Sequence, residues 1–266
     1  MSEYVPLDAR GWRLSMGLRP LEESRWLEVD ERRDEELAEK SRLLDGAFDE
    51  VVVTRPGGDA PSAELLDLVR DWLARHQPTL TRVVGDSEHP IVAASRLVQE
   101  DLCVLVRTDA WRLEAACVCF PSRWSLASKR GATLDQIHGP VPGYAESLAA
   151  PTNAVFDRLK PDRPFWRLNW TLLDSPELFL PVLAQRAEPT PASAWYFRVE
   201  RQTVRRLAAT DAVVFTIHTY VSSLGEMIAR HDDFADNLLR ALDGAPEEMR
   251  AYKGWTGVAD ALRASL

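Results

Sequence analysis

The sequence of 266 residues is poor in the features that usually reveal a function. It has three cysteines, Cys103, Cys117 and Cys119, too few and too clustered for the disulfide framework of a secreted scaffold. Cys117 and Cys119 share one side of a strand-like run, but a strong zinc pattern wants a full tetrahedral set, usually with Cys-x-x-Cys. They read instead as small apolar core residues. Phosphate loops, dinucleotide fingerprints, serine-hydrolase elbows and HExxH pairs are missing. No run approaches the ~18 apolar residues of a membrane span. The opening MSEYVPLDARGW lacks a charged-then-apolar signal pattern, so the expectation is a cytoplasmic protein with no membrane partner. Positive charge is scarce too: Lys+Arg 32 against Asp+Glu 41 gives a net charge of -9. That balance argues against a general nucleic-acid binder, which needs a basic surface to displace counterions. A small basic pocket for an anionic cofactor stays possible.

What the chain does have is apolar material, at 45% of residues. This suffices for one large domain, or for one domain with extensions. Residues 1–95 read as a helical flank. VDERRDEELAEKSRLLDG (29–46) is a charged helix with Leu37, Leu43 and Leu44 on its apolar side and Gly46 as its stop. DEVVVTR (49–55) suggests a short strand and PGGDAP (56–61) a loop. Ser62 is placed to cap the helix SAELLDLVRDWLARH. In it Leu65, Leu66, Val69, Trp72 and Leu73 form a broad apolar stripe.

The pattern then changes period. ASRLVQE (94–100) is a helical lead-in, DLCVLVR (101–107) a buried strand, and RLEAACVCF (112–120) its hairpin partner across TDAW. Pro121, which offers no N–H, limits that strand. Short helices and turns follow over 122–160, with an interruption near Pro151 in YAESLAAPTNAVFDRLK. Three further strands are expected over 164–174, 194–207 and 212–224, the last two joined by a turn at AATD. PTPAS (189–193) reads as a loop, and residues 226–266 as a helical tail. Antiparallel strands with inserted helices indicate an α+β fold, not a doubly wound sheet.

Among five histidines, His76 and His231 follow helix-like segments and are expected to face solvent, and His89 lies in the loop GDSEHP. His138 differs. It sits in IHGPVP, where prolines and glycines stiffen the backbone. A fixed neutral imidazole can ligate iron, or it can simply hydrogen-bond within its turn; spacing leaves both open. Alternation in RLNWT puts Arg167, Asn169 and Thr171 on one face and Trp166, Leu168 and Trp170 on the other. In RVERQTVRRL, Arg198, Glu200 and Gln202 share one face; Arg201, Thr203 and Arg205 share the other. So much charge usually marks a solvated strand or an ion-pair ladder. Gln99, Glu100 and Asp101 form a polar word before a buried strand. They suit either a solvent-exposed strand start or a pocket rim, where Glu100 could meet an amine, since a buried cation needs an acceptor.

The words QEDLCVLVR, ACVCFPSRW, KRGATLDQIHGPVPGY, RLNW and RVERQTVRRL, in that order, resemble one family: the α subunit of haem-dependent oxidative N-demethylases, a haem-binding PAS-type domain. The likeness runs from WRLSMGL (12–18) through TIHTYVSSL and is densest over 99–142 and 165–221. It implies a PAS-like antiparallel sheet with a helical insert over 96–225, an N-terminal helical extension (1–95) and a C-terminal helical tail (226–266). It also implies haem b, with His138 as axial ligand of the haem iron; a cysteine thiolate is the lesser alternative. Arg123, Lys129 and Trp170 become candidate cofactor contacts, with propionates for the two cations. Arg167 and Thr171 fall on the distal side, where dioxygen binds, and Glu100 beside the amine. The implied reaction is oxidation of a small secondary amine such as dimethylamine. The electrons would come from NADPH through FMN and iron–sulfur centres on partner reductase subunits. Two other readings stand beside it: a non-enzymatic haem PAS gas or redox sensor, and an interaction domain with no cofactor.

Overall fold

The computed structural model describes residues 4–80, 88–182 and 191–264. Its centre is an open seven-stranded antiparallel sheet in the order β1-β5-β6-β7-β3-β4-β2. The strands are β1 (Arg19–Pro20), β2 (Val52–Thr54), β3 (Asp101–Arg107), β4 (Trp111–Cys117), β5 (Phe165–Leu173), β6 (Tyr196–Arg206) and β7 (Val213–Ser223). β3 and β4 form a hairpin, β5 to β7 form a meander, and β7 closes back onto β3. The fold is therefore α+β, consistent with a PAS-like sheet carrying helical parts. The described part of PTPAS, from Pro191, enters a short 3-10 turn; residues 189 and 190 lie outside the described residues.

Before the hairpin come α1 (Arg33–Gly46), α2 (Phe48–Val51), α3 (Asp59–His76) and α4 (Pro90–Ser95). α1 opens with Asp34, Glu35 and Glu36, charges that suit the positive end of a helix. α3 starts before Ser62, at Asp59. Pro61 falls in its first turn, where a missing N–H costs nothing, and Ser62 is buried inside the helix instead of capping it. Its apolar stripe packs with α4 and with Leu102, Val104 and Val214 on one face of the sheet. After β7 come α8 (Leu224–Arg230), α9 (Phe234–Gly244), α10 (Glu247–Lys253) and α11 (Val258–Arg263). α8 begins with a capping box between Ser223 and Glu226. These helices cover the other end of the same face, through Phe197, Val199 and Leu172. The opposite face receives the insert between β4 and β5: α5 (Leu134–His138), α6 (Tyr144–Ser147) and α7 (Ala149–Arg158). Pro151 sits in the first turn of α7, so the break precedes it, at Leu148.

β6 departs from the expected solvated strand: Phe197 to Arg205 are all buried. Each buried guanidinium is met by specific acceptors, as desolvated charge requires. Arg198 donates to Phe120 O at 2.5 Å, Leu178 O at 3.3 Å and Thr219 Oγ1 at 3.2 Å. Arg201 donates to the carbonyls of Arg25 and Trp26 and pairs with Glu28 at 3.0 Å. Arg205 pairs with Glu23 at 3.2 Å and lies 4.4 Å above the Trp26 ring.

Beside these arginines His218, fully buried, bridges two carboxylates. Nδ1 faces Glu100 and Nε2 faces Asp30, each at 3.3 Å. Both nitrogens must donate, so the ring is an imidazolium. Burial alone would lower its pKa; the hydrogen bonds to Asp30 and Glu100 outweigh it and carry the pKa up to about 10. Burial likewise pushes Glu100 upward, yet the hydrogen bond and charge of His218 hold it below its ordinary value. The His218 contribution is complete below the ordinary histidine value of 6.5 and fades as pH rises toward about 10. The Glu100 contribution is present above 4.5 and is lost as pH falls through its lowered value. His218→Ala leaves two carboxylates without their cation, at a cost of roughly 3–5 kcal/mol at neutral pH. In urea titrations run at a series of pH values, the variant also loses the decline in stability that the parent shows on the alkaline side.

Candidate functional site

A cavity of about 660 Å³ lies between the insert and the sheet and reaches the outer edge of β5. The sheet supplies Cys103, Leu105, Leu113, Val204, Phe215 and Ile217; the insert supplies Leu134, Ile137, Val141, Tyr144 and Phe156. β1 pairs only with Phe165 and Trp166, so 167–173 have no strand on their outer side among the described residues. There the cavity is walled by the extended segment 11–18 and by Met249, Tyr252, Lys253 and Trp255.

His138 enters this cavity from the last position of α5. Thr133 and Gln136 form a capping box that starts the helix, and Lys129 Nζ donates to Ile137 O at 3.2 Å at its end. The His138 ring stacks on Tyr144, 4.9 Å between centroids at 18°. Nδ1 lies 2.9 Å from Leu134 O. A carbonyl only accepts, so Nδ1 carries the proton and Nε2 keeps its lone pair. Nε2 has no hydrogen-bond partner among the described residues. Burial lowers the imidazole pKa; the Leu134 bond opposes this, and the charges of Arg167 and Lys129 add to it. The ring is thus neutral and oriented, with one nitrogen available.

A polar row crosses the cavity wall. Register sets Arg167 opposite Gln202, Asn169 opposite Glu200 and Thr171 opposite Arg198. Glu200 accepts from Arg198 Nε at 3.3 Å, Asn169 Nδ2 at 3.1 Å and Gln202 Nε2 at 3.0 Å. Burial raises its pKa, but the Arg198 charge and these bonds win, so it is a carboxylate. Arg167 makes no hydrogen bond or ion pair among the described residues, and its buried Nε has no acceptor. Burial disfavours its charge while Glu200 supports it. Lys253 Nζ reaches Trp170 O at 3.3 Å, and burial pushes its pKa down to about 8 against the pull of Glu200.

Of the residues singled out by sequence, His138, Arg123, Lys129, Arg167, Trp170 and Thr171 all line this one cavity. Arg123 is paired with Asp174, and Lys129 is spent on the end of α5. The Thr171 hydroxyl has a long contact to Leu172 O at 3.5 Å. Trp170 lies on the far face and meets the cavity at the open edge, stacked on Trp255 at 4.6 Å. Glu100 does not line the cavity. Asp101 shares the cavity face with Ile217, so Glu100, one residue earlier, points to the opposite face, where it accepts from Glu28 N at 2.8 Å and meets His218. The carboxylate inside the cavity is Glu200, which alternation placed on the right face without a reason to prefer it. Lys253 had no motif to reveal it. Gln99, Glu100 and Asp101 are buried: Gln99 donates to Asp30 and Glu36, and Asp101 accepts from Cys119 N and Phe120 N. The solvent positions expected for His76 and His231 are corrected too. Both are half-buried, His76 through its contact with Trp72 at 5.0 Å. His89 caps α4. Cys103, Cys117 and Cys119 are free and buried.

An α+β domain with a partly open cavity, mainly apolar walls and one oriented imidazole has the form of a cofactor or small-molecule pocket. Residues 77–263 match the family described as haem-dependent oxidative N-demethylase, alpha subunit-like. The chain belongs to that family, whose name carries dependence on haem. Among the described residues no helix is long and apolar enough to cross a membrane. The electrostatics of the cavity give one direct check. Glu200→Gln removes the charge that supports protonated Lys253, so the Lys253 pKa drops further below about 8. The rate of reductive methylation of Lys253 against pH, read by mass spectrometry, shifts to lower pH in that variant.

Proposed function

We propose that this chain is the haem-binding, oxygen-using subunit of a complex that oxidatively demethylates a small secondary amine such as dimethylamine. The observation that carries the reading is His138. Its proton is fixed on Nδ1 by Leu134 O, and Nε2 is left without a partner beside a cavity, in a family named for haem dependence. The cavity fits such a group. Its volume, about 660 Å³, lies within the ~300–1,000 Å³ typical of cofactor sites, its walls are mainly aliphatic and aromatic, and Arg167 Nε lacks an acceptor.

In this reading His138 Nε2 would hold the iron of haem b, and Trp170 and Lys129, which line the same cavity, would contact the group. Haem, when bound, supplies one-electron and dioxygen chemistry that no side chain offers. Arg123, which Asp174 neutralises in part, is the weaker propionate contact. Leu134 O keeps the imidazole in one tautomer, and the Tyr144 ring fixes its plane. Arg167 and Thr171 present N–H and O–H donors on the substrate side. Glu200, ionised by Arg198, Asn169 and Gln202, answers the positive charge of an amine. The apolar walls exclude water from the reacting carbon. Oxidative removal of an N-methyl group consumes dioxygen and an electron pair, releases the methyl carbon as formaldehyde, and returns one oxygen atom as water. The electron pair comes from NADPH through FMN and iron–sulfur centres on partner reductase subunits, which make the complete enzyme an assembly.

The test is an absorption spectrum of the chain produced with ample haem precursor, before and after dithionite and carbon monoxide. The parent shows a Soret band at about one haem per chain. His138→Ala loses stoichiometric haem, and added imidazole restores the parent's spectrum in part. A His138→Ala protein with the parent's haem content and spectrum overturns the assignment. Amine-dependent oxygen uptake with a chemical reductant separates an enzyme from a gas sensor, which binds the gas without turnover.

A further inference from the structure

The cavity is unbalanced in charge, and two of its polar groups have opposite unmet demands. Glu200 is the only acidic residue among those lining it; Arg13, Arg123, Lys129, Arg167 and Lys253 bring positive charge. Arg123 is answered by Asp174 and Arg13 by Asp8. Arg167 has no hydrogen-bond or ion-pair partner among the described residues and feels only the charge of Glu200, and its Nε is buried. Lys253 gives one hydrogen to Trp170 O and has no other hydrogen-bond acceptor among the described residues. Half-buried cations short of acceptors are costly, so this end of the cavity is suited to an anion.

Across the strand pair the demand reverses. Gln202 is 7% exposed and lies in register with Arg167. It donates one amide hydrogen to Glu200, and its Oε1 is buried with no donor. Both oxygens of Glu200 already accept from neighbours. A carbonyl acceptor beside an ionised carboxylate suits an N–H group that carries positive charge. Dimethylamine offers that N–H and nothing for Arg167 or Lys253.

We infer that the cavity receives an amine that carries its own carboxylate, as an N-methyl amino acid does. Arg167 and Lys253 take the carboxylate, and Gln202 Oε1, next to Glu200, accepts the amine N–H. The inference rests on the N-demethylase reading and narrows its substrate class. The fork of Arg167 donors suffices for a carboxylate oxygen and for a second acceptor near the reacting centre. Burial, with the charge of Arg167, lowers the Lys253 pKa more than Glu200 raises it, so the cation is only partly compensated.

Carboxylate is also the chemistry of a haem propionate, and the experiment separates the two sources. The full chain is loaded with haem or with haem dimethyl ester, whose propionates are blocked, and each form is titrated with N-methylglycine and with dimethylamine. Calorimetry and the Soret shift report binding. The inference expects both haems to load equally and N-methylglycine to bind at least roughly tenfold more tightly than dimethylamine. Arg167→Met and Lys253→Met each abolish that preference by weakening N-methylglycine, and leave haem content within about twofold. If the ester fails to load and the two variants lose haem, the anion is a propionate and the substrate assignment falls. Dimethylamine binding as tightly as N-methylglycine overturns it as well. A chain that takes up neither haem refutes the haem reading instead; the same calorimetry on that protein then decides whether the carboxylate site exists.

Discussion

The structure depends on how the sheet neutralises its own interior charge. β6 runs through the middle of the protein with three buried arginines, and β7 beside it carries a buried imidazolium. None of these is tolerable without acceptors, and the acceptors come from far away in sequence. Glu23, Glu28 and Asp30, with the carbonyls of Arg25 and Trp26, occupy one short N-terminal stretch. Lys40, fully buried, extends the same logic: Nζ donates to Val98 O at 2.9 Å and Glu100 O at 2.6 Å, fixing the entry to β3. Removing one partner of such a set costs far more than the set contributes as a whole. The N-terminal segment is therefore part of the sheet's electrostatics, though it supplies few of its hydrogen-bonded strand residues.

This arrangement divides the labour of the two faces. On one, charges are matched to each other and the helices before and after the strands seal them. On the other, the insert leaves a cavity in which matching is incomplete. The difference between Glu100 and Glu200 makes the point. Both are buried carboxylates held ionised by a cation, His218 in one case and Arg198 in the other. Glu100 is enclosed by protein, whereas Glu200 faces space. Unmet demand at Arg167 and Gln202 sits beside Glu200, and the surplus of donors there is what a ligand answers.

The strands were legible because hydrophobic patterning, alternating or continuous, is a local signal. DLCVLVR, PFWRLNWTLLD and AVVFTIHTYVSSL carry it plainly, and the sheet contains each with small changes of boundary. Three things escaped a local reading. Ser62 looked like a cap because the apolar stripe begins after it, yet Pro61 lets the helix start earlier. Arg201 and Arg205 of β6 looked solvated because their acceptors lie more than a hundred residues away. Lys253 drew no reading because nothing in AYKGW says that its helix ends against a bare strand edge. His138 was legible as a stiffened histidine. Its tautomer was not, because that depends on the carbonyl of Leu134 one helical turn earlier.

The outer wall of the cavity has a dynamic consequence. It is made from both ends of the chain, residues 11–18 on one side and 249–255 on the other, meeting over the unpaired part of β5. Segment 11–18 has no helix or strand of its own, and Gly11 and Gly17 take positive φ there. A segment held by few backbone hydrogen bonds opens more cheaply than a sheet. Exchange of a large ligand then needs no rupture of the sheet, only displacement of segment 11–18. A ligand that spans the wall ties this segment to α10, so slower amide exchange over both at once is the signature of occupancy.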